Sequence, residues 1–339
     1  MTDTSNRCNE RYFVSREKCP VCASNRIEVS YSCALTHDPV RSFIESHYKS
    51  QGRIDWQYLE GTDYVICDCT NCRLIYQKNV PNELMLDQLY NVMIGPRFLS
   101  ELEANRLTID NFEQIAGELG LLFRLIDKPP TQVRFLDYGF GHGRWARVAV
   151  AMGATVFATE ISPEKVAYAS EIGVKIVPYQ ALSDMQFDFI HAEQVFEHLT
   201  DPEGDFQTLA KALSQDGIMK VAVPPQGNIR ASLKANGMIN WSPQERLWNP
   251  NCDAPQGSKF DDYVAILPLE HLNAYSRISL AILAERNHMG FLSRARRQSV
   301  PLCTLNSRHF VQSLVQFSKV MLRPIFRRDS GYYTLAFKT

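Results

Sequence analysis

No stretch of this 339-residue chain stays apolar over the ~18 residues that a membrane-spanning helix requires. The opening stretch Met1-Thr-Asp-Thr-Ser-Asn-Arg-Cys8 carries no apolar segment of the kind that forms a secretory signal. An excess of one charge is missing too: 36 Lys and Arg stand against 37 Asp and Glu, a net charge of −1. Nucleic acids and anionic membranes are met through basic faces, so neither is expected as a partner. These absences lead us to expect a cytoplasmic protein. What is there is ordinary for a globular chain: 45% hydrophobic and 22% charged residues, in a length that admits a full core plus a smaller module. In a reducing compartment nine cysteines do not form a disulfide framework, and an ordered subset of them suggests metal.

The chain is organised around Phe135-Leu-Asp-Tyr-Gly-Phe-Gly-His-Gly-Arg-Trp145. It reads as the end of a buried strand, a turn in which Gly139, Gly141 and Gly143 alternate, and the start of a helix at Arg144. Asp137 closes the strand. Glycine lets the backbone take positive φ and lets a ligand approach where a Cβ would stand. In an open α/β sheet that place, beyond the carboxyl end of a strand, is where ligands bind. A helix then runs to Gly153, a second apolar strand covers 155–158, and Glu160 closes it. A carboxylate about 20 residues past such a turn suits a ribose diol, because it accepts both hydroxyl hydrogen bonds.

The glycines are spaced G-x-G-x-G with an acid before them. With Glu160, and with Phe187-Asp-Phe-Ile leading into Glu193-Gln-Val-Phe-Glu-His198-Leu, the stretch from about residue 110 to 339 resembles the class I S-adenosylmethionine-dependent methyltransferases. The resemblance implies an α/β fold with a Rossmann-like seven-stranded sheet. It also implies S-adenosyl-L-methionine as cofactor, with Asp137, Gly139, Gly141, Gly143, Glu160, Ile161, Ala181, Leu182, Glu193 and Gln194 around it. The predicted order is strand 133–137, helix 143–152, strand 155–159, helix 163–172, strand 174–177, strand 187–191, helix 203–214, strand 218–223, helix 276–288 and a closing strand ending at Lys338.

Ahead of this lie Cys19-Pro-Val-Cys22 and Cys69-Thr-Asn-Cys72. A C-x-x-C turn faces two thiolates to one ion, and two such turns complete a tetrahedral, structural Zn²⁺ site. Cys67 is an alternative ligand; Cys8 and Cys33 are spare. A strand enters the second pair at 63–67 and another leaves it at 74–76, with a helix expected near 40–49 in the insert. This small zinc-ribbon-like module resembles the N-terminal zinc-binding domain of sugar C-methyltransferases. In those relatives a short helical segment follows, here 81–90, and its final Tyr90 is implied to lie near the cofactor. The expected division is a zinc module over 1–80, a helical linker or cap over 81–130 and a methyltransferase domain over 131–339.

Residues 225–268 are irregular and rich in Asn, Gly, Pro and Trp, and we read them as a substrate cover. A helix over 310–326 with basic ends reads either as packed on the domain or as an amphipathic surface helix. Two Glu-His pairs carry the candidate chemistry, Glu197-His198 and Glu270-His271. Methyl transfer needs donor and acceptor positioned, and a base if the acceptor is a hydroxyl or carbon acid; histidine serves near neutral pH. The resemblance implies His271 as general base with Glu270 beside it, and His198 near the methyl group, although Leu269 stands where that family has an aromatic or polar residue. The expected acceptor is a small polar metabolite, a nucleotide-linked sugar among the candidates. The competing readings are an RNA methyltransferase that grips nucleic acid with its zinc module, and a non-catalytic scaffold that binds the cofactor.

Overall fold

The computed structural model describes residues 6–49, 51–94, 108–160, 162–224, 226–227, 229–236, 265–291 and 332–338. The chain opens with β1 (Phe13–Ser15), β2 (Ile27–Ala34), α1 (Val40–Tyr48), β3 (Asp63–Cys69), β4 (Ile75–Gln77), β5 (Asn79–Pro81) and α2 (Glu83–Gln88). It continues with α3 (Ile109–Ile126), β6 (Arg134–Tyr138), α4 (Arg144–Ala151), β7 (Thr155–Thr159), α5 (Pro163–Glu171), β8 (Lys175–Ile176) and β9 (Phe187–Glu193). Then come α6 (Pro202–Ala212), β10 (Leu213–Ala222), α7 (Ile229–Asn236), β11 (Asn273–Ala274), α8 (Arg277–Arg286), β12 (Met289–Phe291) and β13 (Tyr332–Lys338). These elements fall into two compact units. The first comprises Met1–Arg106, Gln194–Asp205 and Val223–Leu283; the second comprises Leu107–Glu193, Phe206–Ala222 and Ala284–Thr339.

The second unit is an α/β fold on a seven-stranded sheet in the order β12-β13-β10-β9-β6-β7-β8. Strands β10, β9, β6, β7 and β8 run parallel, while β13 is antiparallel to β10 and β12 to β13. The sequence-based Rossmann-like sheet is therefore the one that forms. β6 and β9 are almost wholly buried, as parallel strands covered on both faces must be. Helix α3 starts where the Thr108 side chain accepts the Asn111 amide, and its buried residues Ile115, Leu119, Leu122, Phe123 and Ile126 form one stripe. That stripe joins a core with Phe135, Phe189, Trp145 and Ala149. Since β7 follows on one side of β6 and β9 lies on the other, strand order reverses at β6. The glycine turn sits at that switch point, where α/β sheets bind ligands.

The first unit is built around a four-stranded antiparallel sheet, β11-β4-β3-β2, with a separate β1-β5 pair. β3, its central strand, is buried throughout. The short β11 arrives from far along the chain and pairs Asn273 with Tyr76 and Ala274 with Ile75 of β4. Helix α1 buries Val40, Phe43, Ile44, His47 and Tyr48, a stripe at three- and four-residue spacing, into a core with Leu59, Tyr64, Ile66, Met85 and Ile266.

Element boundaries depart from the expectations in three places. The strand expected from 218 starts at Leu213, directly after α6; Ser214, Gln215 and Asp216 follow, so its continuous apolar pattern begins late. The segment expected at 81–90 is a helix only over α2 and continues as a π-helical turn, Leu89–Met93, that buries Leu89 and Met93. The irregular stretch 225–268 contains α7, whose buried Ile229 and Leu233 are hidden among polar neighbours. Of that stretch 225, 228 and 237–264 lie outside the described residues, as do Ile161 and the expected helix 310–326.

Candidate functional site

The four cysteines of the two C-x-x-C turns come together. Cys19 Sγ lies 3.5 Å from Cys72 Sγ, and Cys22 Sγ 3.5 Å from Cys69 Sγ. All four sulfurs lie within 4.8 Å of one another. A tetrahedral ion with ~2.3 Å bonds to sulfur needs sulfurs roughly 3.8 Å apart, so the donor set fits Zn²⁺. Turn backbone builds this arrangement: the Cys19 amide donates to Ser24 O, Ala23 N to Cys19 O, Cys69 N to Leu74 O and Arg73 N to Cys69 O. The left-handed φ values of Ala23 and Arg73 (55° and 64°) close the two turns. Cys67 is buried but outside this group. Burial pushes its thiol up to about 11.

In the second unit, Asp137 ends β6 and turns inward, only 4% exposed. Its Oδ1 lies 2.9 Å from His191 Nδ1, its register partner on β9. Burial, with the charge of Glu193, pushes the Asp137 carboxyl well above its usual range; the Ala146 amide at the start of α4 acts against this. Burial, helped by the charges of Lys220 and Arg144, pushes the His191 imidazole well below its usual value, so it stays neutral. His191 Nε2 finds no hydrogen-bond partner among the described residues.

The glycine turn itself is shaped for close approach. At Gly143 (φ 66°) an added Cβ would sit 2.5 Å from the Phe140 ring, so packing alone demands glycine. At Gly141 (φ 55°) the nearest neighbour of such a Cβ would be the Gly139 carbonyl oxygen, 3.9 Å away. Space stands open there in a left-handed backbone that favours glycine. Glu160 follows β7; its Oε1 accepts the Ser162 amide at 2.9 Å, and its Oε2 lies 3.6 Å from Lys165 Nζ. Glu193 Oε2 accepts the Trp145 indole N–H at 2.6 Å and lies 3.7 Å from Arg144. Ala181 and Leu182 stand on a 3₁₀ turn, Tyr179–Asp184, with Leu182 buried. This carboxylate and glycine set, at the switch point of the sheet, fits an adenosyl cofactor. The boundary between the units falls after Glu193, so Gln194 (φ 55°) and Tyr90 belong to the first unit.

The first unit brings the two Glu-His pairs together. The Leu272 amide donates to Glu197 O at 2.6 Å. Asn273 Nδ2 donates to Phe196 O at 3.1 Å and Leu199 O at 2.7 Å. Arg16 adds bonds to Leu199 O, Thr200 O and Asn273 Oδ1. From β4, Gln77 Nε2 donates to Leu267 O and His271 O at 2.6 and 2.9 Å. As a result the rings of His198 and His271 meet edge to face, 4.7 Å between centroids. One donor atom each from Glu197, His198 and His271 lies within 4.8 Å of the others. Tyr90 Oη is 3.4 Å from His198 Nδ1. Burial lowers the His198 imidazole, against the opposing charge of Glu270. Leu269, just before the second pair, is buried at φ 74°, a conformation that costs a non-glycine residue about 1 kcal/mol or more.

Sequence reasoning missed several members of both sites. Glu197, read in the sequence only as half of a Glu-His pair, is fully buried, which its short turn between Phe196 and His198 does not reveal. His191 and Lys220 form one row with Asp137 across β6, β9 and β10, and Lys220 Nζ stands 3.7 Å over the Trp145 ring and 2.8 Å from Glu118. A polar residue inside an otherwise apolar strand was the available signal. His47 and Tyr48 of α1 reach Glu270, and nothing local to the insert announces that contact.

Set beside known proteins, residues 107–288, more than half of the chain, match the family described as "Methyltransferase domain". No curated protein sequence matches. Among solved structures, the chain is similar to the plantazolicin methyltransferase BpumL in complex with a monoazolic desmethylPZN analogue and SAH. That similarity has 15% identity and a TM-score of 0.44, and covers 76% of this chain and 94% of that one. It is also similar to the 1,6-didemethyltoxoflavin-N1-methyltransferase of Burkholderia thailandensis, with 18% identity and a TM-score of 0.35 over 58% of this chain and 76% of that one.

Proposed function

From the premise that the chain belongs to the methyltransferase-domain family, as a class I S-adenosylmethionine-dependent enzyme, we propose that it methylates a small polar metabolite. A nucleotide-linked sugar is the candidate class, at carbon or oxygen. The observation that supports this reading is the meeting of Glu270, His271 and His198 in one cluster, assembled by hydrogen bonds from segments far apart in the chain. Such a cluster is what deprotonation of a weakly acidic acceptor asks for.

S-adenosylmethionine supplies an activated methyl group on a sulfonium. The residues of the second unit that we assign to hold it are Asp137, Gly139, Gly141, Gly143, Glu160, Ala181, Leu182 and Glu193. Gly141 leaves room for close approach, and Glu160 offers its carboxylate to the ribose hydroxyls. His271 takes the acceptor's proton as the acceptor attacks the methyl carbon. When bound, the sulfonium would supply the methyl group and take up the electrons of the broken carbon–sulfur bond. Glu270 steadies the imidazolium that forms. A neutral imidazole is needed at the start.

We assign Cys19, Cys22, Cys69 and Cys72 to a structural Zn²⁺; four thiolates leave no open position for chemistry. Thiolate ligands suit a reducing compartment, and we read the enzyme as cytoplasmic. We assign residues 1–80 to the zinc module, 81–130 to a linker and 131–339 to the transferase domain. Among the described residues no helix is long and apolar enough to cross a membrane.

The test uses purified protein and methyl-labelled S-adenosylmethionine with a cell extract split into small-molecule, RNA and protein fractions. Label in the small-molecule fraction supports the proposal and lets the acceptor be found by its added mass. Label in RNA overturns it in favour of a nucleic-acid enzyme. Binding of S-adenosylhomocysteine with no label in any fraction points to a non-catalytic scaffold.

A further inference from the structure

Helix α1 lies in the insert between the two cysteine pairs, and the reaction as drawn does not use it. Its buried stripe ends in His47 and Tyr48, and both are aimed at one carboxylate. Tyr48 Oη is 2.7 Å from Glu270 Oε2 and 3.2 Å from Pro268 O. His47 Nε2 lies 3.7 Å from the same Glu270 oxygen. The His47 ring stacks on Phe43, 5.4 Å between centroids, and meets Tyr48 edge-on at 4.8 Å, so both side chains are locked in place. The other titratable groups facing Glu270 are His198 from the Phe196–His198 turn, His271 next to it in the chain, and Tyr90 from the π-helical turn. The Glu270 side chain keeps 16% of its exposure, while His47 keeps 2%.

Packing alone would be served better by apolar rings at 47 and 48, because a buried hydroxyl and imidazole lose hydration that only a partner restores. We propose that Tyr48 and His47 are positioning residues for the Glu270–His271 pair, holding the Glu270 carboxylate ionised and fixed beside the base. This rests on the reading of His271 as base. Burial works to raise the Glu270 carboxyl. The His47 imidazole close by, the charge of His198, the hydrogen bond from Tyr48 and the charge of His271 outweigh it, and the carboxyl ends below its ordinary value. The insert between the cysteine pairs is then part of the acceptor site, and the metal module has a catalytic consequence without its ion touching substrate.

The experiment follows the histidine rings of the full-length protein by NMR with ring-labelled histidine across pH, with His198 and His271 assigned from His→Gln variants. Glu270→Gln removes the charge outright, and Tyr48→Phe removes only a hydroxyl. Both are expected to lower the apparent pKa of the His198 and His271 signals by about half a pH unit or more. The double variant should shift them no further than Glu270→Gln alone, since the two act through one group. Unmoved histidines in Tyr48→Phe, with Glu270→Gln moving them, would overturn the positioning role and leave the reading of the pair intact. If Glu270→Gln moves nothing, the coupling of Glu270 to the histidines fails, and the proposal with it. Should Tyr48→Phe not fold, His47→Leu and His47→Gln put the same question: the proposal expects Leu to shift the signals and Gln, which keeps a donor, to restore them; equal behaviour of the two overturns it.

Discussion

The two units hold their polar groups by different means. In the second unit they stand in register on neighbouring strands: Asp137, His191 and Lys220 form one row because β6, β9 and β10 are paired. In the first unit Glu197, His198, Glu270 and His271 sit on turns. Side chains of Asn273, Arg16 and Gln77 gather those turns by their carbonyl oxygens. A sheet row is positioned by many backbone bonds and is insensitive to any one side chain. A gathered cluster depends on a few buried side-chain donors, each costing about 1–3 kcal/mol to remove. The strict part of the molecule is therefore the fold around the glycine turn, and the fragile part is the cluster assigned to the acceptor.

The strongest break in this contrast comes from the metal. Binding of a structural zinc is linked to folding by about 10–16 kcal/mol in small modules. Cys69→Ser is expected to take zinc content from one per chain to none and to lower Tm by more than about 10 °C; mass spectrometry and calorimetry read both. An unchanged Tm with the metal gone would make the four thiols a packing cluster. Next is Gly141→Arg, which fills the open space before the turn and forces a side chain at φ 55°. It should abolish S-adenosylhomocysteine binding by calorimetry while zinc stays bound.

His271→Asn divides the units more finely. Turnover should fall by roughly 10²-fold or more with S-adenosylhomocysteine affinity unchanged; full activity removes the base. The smallest effect is a pH difference. His198 titrates lower folded than unfolded, so the unfolded chain binds more protons: its contribution is complete above about 6.5 and is lost as pH falls through the folded value. Glu270 has the same sign below about 4.5. In the second unit the raised Asp137 and lowered His191 act with opposite signs. Tm should therefore decline from pH 6.5 to 5 more steeply in the wild type than in His198→Gln. Parallel slopes would shift the acid sensitivity away from the first unit.

Legibility in the sequence follows the same division. β6, the glycine turn, α4 and β7 could be read because strand periodicity, glycine and a terminal acid are local signals. The cysteine pairs were legible for a similar reason, since C-x-x-C turns bring each half-site together within four residues. The pairing of β11 with β4 was not legible, because a two-residue strand has no periodicity. Nor was the burial of Glu197, which is imposed by packing around a turn. The helix within 225–268 was concealed by the polar composition that suggested a cover. The first unit, assembled from three stretches of chain, could not be inferred from composition shifts along a line.

Local chemistry by itself determined that this protein has a glycine turn after a buried strand, an acid after the next strand, two cysteine pairs and two Glu-His pairs. Residue type and short spacing are sufficient for each of these, because backbone preference and ligand geometry act over a few residues. Only the tertiary structure decided that the two Glu-His pairs meet, that strand β4 leaving the second cysteine pair supports the His271 backbone, and that Tyr48 and His47 close on Glu270. Those contacts join segments up to 222 residues apart. At that separation no local preference operates, and burial together with hydrogen-bond satisfaction selects the partners.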